Sequence, residues 1–301
     1  MRLLLCGNFE EYYIYAKEII NNTNAKKIIL NLSGFECLFD YRTGIKQQTP
    51  AVLTNKNETI EIISFLFKNP KLSLEKIKEK NKNYRQNDDG SRNLYPLYEE
   101  YYNNPDEYVK NKVIYDLNKD LEEMFNNAET RTFSSMPKDI EYLRKIVELC
   151  ENSNVELLVI NSATPLTSRQ SYEGEAYWNF LIQIASVVDF WDFTSYNNIN
   201  LNPYNFYDDA HPFYEVIDLI IDTIKENENV SQIELLNNSY QNDTYKFNHF
   251  GEYLTSNNIY DYIKQRKNDF YKLKEEFIST GTVKLQEKND SSNLLINQNN
   301  I

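Results

Sequence analysis

Val155-Glu156-Leu157-Leu158-Val159-Ile160 is apolar at every position but one. A run with so little alternation predicts a strand buried on both faces, the pattern of a parallel sheet covered by helices. Lys27 to Leu32 (KIILNL) reads the same way upstream, Val187 to Phe193 (VVDFWDF) reads so downstream, and Arg2 to Cys6 is a shorter apolar strand ahead of both. Helical spacing fills the intervals. Tyr12, Tyr13, Ala16, Ile19 and Ile20 form one face, Pro137 opens a helix that ends near Cys150, and Tyr172 to Ser186 forms another helix. Glu215 to Asn227 is apolar over most of its circumference and is expected against the sheet. Four strands separated by helices predict an α/β fold with a parallel, doubly wound sheet.

This rhythm delimits a domain over 1–228, interrupted by a helical insertion at about 43–136. Within the insertion, helical stretches at Glu58 to Lys68, Ser73 to Lys82 and Asp106 to Asn127 alternate with polar turns such as Asn87-Asp88-Asp89-Gly90. Residues 229–278 read as a helical C-terminal extension, with a helix from Asn257 to Phe277. The polar, aperiodic residues 279–301 read as a disordered tail.

Composition narrows the function. The 301 residues are 41% hydrophobic and carry a net charge of -13, with an isoelectric point near 4.8. Such acidity repels phosphate backbones and anionic membranes, so nucleic acid is not an expected partner. No apolar run reaches the ~20 residues that span a bilayer, and Met1 to Cys6 is too short for a signal peptide, so the chain reads as cytoplasmic. Cys6, Cys37 and Cys150 are odd in number and far apart, which fits reduced, buried thiols. The excess of tyrosine (24 residues) and asparagine fits the codon bias of an AT-rich genome; it also fits a sugar-binding surface of stacking rings and amides. Composition favours the first.

Only two histidines are present, His211 and His249, so histidine chemistry must use one of them. His249, between aromatics in Phe247-Asn248-His249-Phe250, reads as a packing or turn residue. His211 ends Tyr207-Asp208-Asp209-Ala210-His211, between the last strand and the apolar helix, at the carboxyl edge where open α/β sheets bind ligands. A tight turn across three residues lets the Asp208 carboxylate reach Nδ1 of His211, fixing the tautomer and leaving Nε2 as a base. The alternative is a loop histidine, with Asp208 or Asp209 capping the next helix. Asp208, Asp209 and His211 cluster without a second His or Cys at ligand spacing, so no metal is expected. Phosphate-binding glycine loops are absent too, and no cofactor is expected.

Val187 to His211 (VVDFWDFTSYNNINLNPYNFYDDAH) resembles the last block of SGNH/GDSL-type hydrolases, in particular a bacterial branch associated with acylation of cell-surface polysaccharide or teichoic acid. Gly7 to Tyr13 (GNFEEYY), the Asp89-Gly90-Ser91 turn and Phe250 to Thr255 with Asn258 resemble that branch more loosely. The resemblance implies a flavodoxin-like sheet, His211 as general base, Asp208 as its orienting carboxylate, and a carbohydrate or another acylated small molecule as substrate. The family also uses a serine nucleophile in a Gly-Asp-Ser-like block, but here Phe9 follows Gly7-Asn8. Either Gly7-Asn8 is a degenerate first block, or Gly7 belongs to the oxyanion-hole block and the serine lies upstream of Met1. The second is preferred, because four strands are counted where the family has five, and an upstream membrane anchor would then put the protein at the cell envelope. On that reading Gly7 and Asn8 end a strand beside the His211 loop and offer oxyanion donors, Asn161 adds a polar group from a strand end, and no serine Oγ reaches His211 Nε2. Ser33 and Ser162 also follow strands, but neither sits in a nucleophile elbow, and both read as turn or cap hydroxyls. Function is thus expected to be an esterase or O-acyltransferase with a degenerate site, or else a non-catalytic module that keeps the fold and binds glycan or protein.

Overall fold

The computed structural model describes residues 8–32, 95–114, 116–197, 199–225 and 250–283. The expected strand at Arg2 to Cys6, the helices at Glu58 to Lys68 and Ser73 to Lys82, and the tail beyond residue 283 lie outside them.

Helix α1 (Phe9–Asn22) opens with a reciprocal cap: Asn8 Oδ1 accepts from Glu11 N–H while the Glu11 carboxylate accepts from Asn8 N–H. Strand β1 (Lys27–Leu32) follows. After the undescribed stretch come α2 (Tyr95–Asn103), α3 (Pro105–Lys112), α4 (Leu117–Asn127) and α5 (Met136–Asn152). The stretch expected as one helix from Asp106 to Asn127 is thus two, divided where Val113 caps α3 and Asp116 stands before α4. Then come β2 (Glu156–Asn161), a 3-10 turn (Leu166–Ser171), α6 (Glu175–Ala185), β3 (Phe190–Asp192), a second 3-10 turn (Pro203–Asn205) and α7 (Tyr214–Lys225). Strand β4 (Glu252–Leu254) and the long α8 (Ile259–Thr280) close the described chain.

The sheet is open and ordered β1-β2-β3-β4. Strands β1, β2 and β3 are parallel, in register Leu32 to Asn161 and Asn161 to Asp192. The all-parallel expectation is corrected at the edge, where β4 pairs antiparallel with β3, Asp192 opposite Glu252. Its three residues Glu-Tyr-Leu carry no apolar run, so no periodicity announced them. Residues 229–278, read as a helical extension, therefore also supply a strand to the sheet.

Neighbouring side chains on a strand point to opposite faces, and two apolar cores follow. Leu30, Leu32, Val159, Phe190 and Leu254 pack with Phe9 of α1, Leu143 and Ile146 of α5, Phe180 and Ile184 of α6, and Ile263 and Phe270 of α8. Ile160 and Trp191 turn the other way and pack with Tyr101 of α2, Tyr108 of α3, Val216 and Ile220 of α7, and Phe206, Tyr207 and Phe213 of the loop that leaves β3. Helices α2 and α3, from the expected insertion, thus lie against that loop. Cys150 is buried, and its burial pushes the thiol pKa up. Among the described residues no helix is long and apolar enough to cross a membrane.

Candidate functional site

The loop after β3 is built by asparagines. Asn197 Oδ1 accepts from the N–H groups of Ile199 and Asn200 at 2.9 Å each. Asn200 Nδ2 donates to the carbonyls of Phe193 (2.6 Å) and Ser195 (2.8 Å), and Asn205 Nδ2 donates to that of Ile199 (3.0 Å). All three are buried. Asparagine suits this task because its amide both donates to and accepts from backbone, replacing a regular ladder. Two backbone bonds then close the segment as a narrow finger: Tyr207 N–H donates to His211 C=O at 3.0 Å, and Phe213 N–H to Asn205 C=O at 3.0 Å.

Asp208 and His211 meet at the tip of that finger. Asp208 Oδ1 accepts from the N–H of Ala210 (2.9 Å) and of His211 (2.7 Å). The same carboxylate lies 2.9 and 3.0 Å from His211 Nδ1. A carboxylate only accepts, so Nδ1 carries the proton and the Nε2 lone pair is left available. Burial alone would raise the Asp208 pKa; the hydrogen bond and charge of His211 and the two N–H groups outweigh it and hold the carboxyl below its ordinary value. Asp209 behaves oppositely, raised by burial and by the neighbouring Asp208 charge. Neither aspartate caps α7 by hydrogen bond; its first N–H, that of Tyr214, is taken by the Tyr98 hydroxyl at 3.2 Å. The imidazole lies parallel to the Tyr207 ring, centroids 5.5 Å apart and planes at 6°, with 48% of the His211 side chain exposed.

No other expected site residue among the described ones hydrogen-bonds Asp208 or His211. Gly7, Ser33 and His249 are outside the described residues. Asn8 caps α1, its side chain and N–H both engaged with Glu11. Asn161 closes β2 but is buried, its Nδ2 donating to Tyr177 Oη (2.8 Å), Asp192 Oδ1 (3.0 Å) and Thr194 Oγ1 (3.4 Å). Ser162 follows β2 and is half-buried. Among the described residues no serine hydroxyl hydrogen-bonds His211 Nε2. Compared with protein-family models, curated proteins and solved structures, the chain matches none of them.

Asn161 instead belongs to a buried polar cluster, which sequence reasoning missed. Arg266 of α8 donates from Nε and Nη2 to Glu173 (2.9 and 2.7 Å) and from Nη1 to Asp192 of β3 (3.3 Å). Tyr262 Oη donates to Asp192 Oδ2 at 2.5 Å, and Trp178 Nε1 to Glu173 Oε1 at 2.5 Å. Arg169 joins through Glu173 (3.7 Å) and the Ser195 carbonyl (3.1 Å). A signal for part of it was present: Arg266 interrupts the stripe Ile259, Ile263, Phe270, Leu273, where a charge needs a buried partner.

Proposed function

We propose that the Asp208–His211 finger is the basic end of an ester-hydrolysing or acyl-transferring site of SGNH type, acting on a carbohydrate or another acylated small molecule. The observation that carries this reading is the pair itself. A carboxylate fixed by two backbone N–H groups grips Nδ1, and the half-exposed ring keeps Nε2 for a substrate or nucleophile. The parallel β1–β3 core, with the finger leaving the carboxyl end of β3, supports the same reading.

In that chemistry a serine Oγ attacks the ester carbonyl carbon while its proton passes to Nε2. The tetrahedral oxyanion collapses, the C–O bond to the alcohol breaks, and the departing oxygen takes the proton back from Nε2. Water, or a second hydroxyl, then repeats the sequence on the acyl-enzyme, giving hydrolysis or transfer. No described serine hydrogen-bonds Nε2, so Ser33 and Ser162, each of which follows a strand in the sequence, are the first nucleophiles to test, with Gly7 the first oxyanion donor.

A second reading has its own support: Asn8 is committed to its cap and Asn161 to the interior, as in a binding module that keeps the fold and has lost catalysis. Assays of the purified chain on p-nitrophenyl acetate and on an O-acetylated oligosaccharide separate the two. The proposal expects turnover that disappears in His211→Ala, and loss in Ser33→Ala or Ser162→Ala then identifies the nucleophile. Turnover indifferent to His211→Ala sinks it, and saturable oligosaccharide binding with no turnover of either ester favours the binding module.

A further inference from the structure

Tyr108 sits on α3, on the buried side of the finger, and its hydroxyl donates to the Tyr207 carbonyl at 2.6 Å across ninety-nine positions of chain. Tyr207 is then held at three points. Its carbonyl accepts from Tyr108, its N–H donates to the His211 carbonyl, and its buried ring lies parallel to the imidazole. Asp208, the next residue, grips Nδ1 from the edge. An aromatic ring's χ2 well is broad, so a half-exposed imidazole gripped only at its edge retains freedom to tilt and to turn over. A parallel ring beneath it removes that freedom, provided the Tyr207 peptide itself stays fixed. The same segment of chain secures the finger at both ends: Tyr204 Oη donates to Asp106 of α3 (2.8 Å), and Tyr98 Oη of α2 donates to Glu215 (2.7 Å) while accepting from Tyr214 N–H.

We propose that Tyr108 is a positioning residue for His211, acting through the Tyr207 peptide and ring, so that α2 and α3 decide which way the base faces. This rests on the reading of His211 as the base and adds the part of the chain that orients it. Because Tyr98 and Tyr204 hold the finger independently, Tyr108→Phe deletes one hydroxyl and leaves the segment seated.

The test reads the imidazole directly. With two histidines in the chain, long-range ¹H–¹⁵N correlation on the full ¹⁵N-labelled protein gives one ring pattern each, and His249→Gln assigns them. At alkaline pH the wild type is expected as the Nδ1–H form alone. In Tyr108→Phe the ratio of Nδ1–H to Nε2–H falls several-fold, while Tyr102→Phe, a neighbouring hydroxyl on α2, leaves it unchanged. Any ester turnover falls in kcat with KM unmoved. Tyr207→Leu, which removes the stacked ring and keeps the peptide, gives the same shift and serves if Tyr108→Phe loses its fold. A Tyr108→Phe protein that is less stable but keeps the wild-type tautomer overturns the proposal and makes Tyr108 a packing residue. A tautomer shift in a chain without turnover leaves the positioning role standing and removes the acyl-transfer reading instead.

Discussion

At Asp208 burial works against the charge and hydrogen bonding works for it, and the bonds prevail. A carboxyl depressed in the folded state contributes stability above its unfolded pKa, and that contribution disappears as pH falls through the lower folded value. The grip on Nδ1 therefore survives mild acid. A ¹³C titration of the side-chain carboxyl is expected to place the Asp208 midpoint below the ordinary aspartate value of ~3.9, with Asp209 protonating first as acid is added, because its pKa is raised. His211→Ala should move the Asp208 midpoint upward; an unmoved midpoint would mean that the ring does not hold the carboxylate. Where hydrolysis is observed, Asp208→Asn is expected to lower kcat by about 10⁴, the scale of a base released to the wrong tautomer, and a loss below ten-fold would deny Asp208 the orienting role. The pair was legible because Asp-x-x-His is a contact within one turn, fixed by local spacing. Tyr108 was not, since no local pattern links residues so far apart. The cap at Asn8 went unread although its signal was there: Asn8 and Glu11 stand at capping-box spacing ahead of an apolar face.

Strands β1 and β2 could be read from sequence because continuous apolar runs survive almost any tertiary context. Strand β3 was read longer than it is; Phe190–Asp192 alone form the ladder, although the apolar run extends to either side. Strand β4 is held in place by what precedes it rather than by its own composition. Gly251 adopts φ +87°, and a Cβ there would stand 2.5 Å from the Phe193 ring, which itself stacks on Trp191 of β3. Gly281, at the left-handed end of α8, has φ +75°, and a Cβ there would meet no atom of the described residues within 4 Å. Alanine at either position takes on the left-handed strain, of order 1–3 kcal/mol, but only at Gly251 does it also collide with the core. Urea unfolding should rank Gly251→Ala as clearly the more destabilised of the two. Equal losses would mean that the chain around β4 yields freely to the added methyl.

The molecule as a whole is strongly acidic, yet its sealed polar cluster balances two guanidinium groups, Arg169 and Arg266, against two carboxylates, Glu173 and Asp192, all four buried. That cluster joins α8 to the end of β3 and to the chain ahead of α6, so it fastens the C-terminal helix to the sheet. Burial pushes the Glu173 pKa up, but the charge and hydrogen bonds of Arg266, with help from Arg169 and Trp178, draw it below its ordinary value. In the wild type, Glu173 thus contributes stability above its unfolded pKa of ~4.3, and the contribution is lost only as pH falls through the lower folded value. Arg266→Met keeps the burial and removes the main counter-charge. The carboxyl pKa then rises above its unfolded value, so the sign reverses: stability is best below ~4.3 and declines as pH rises through the raised folded pKa. At pH 7 the loss should be about 3–5 kcal/mol, the usual consequence of stranding a buried charge. Urea unfolding of both proteins from pH 4.5 to 7.5 measures the two slopes. The variant is expected to weaken across that range while the wild type does not, and parallel curves would show that Glu173 and Asp192 reach solvent or another cation once Arg266 is gone.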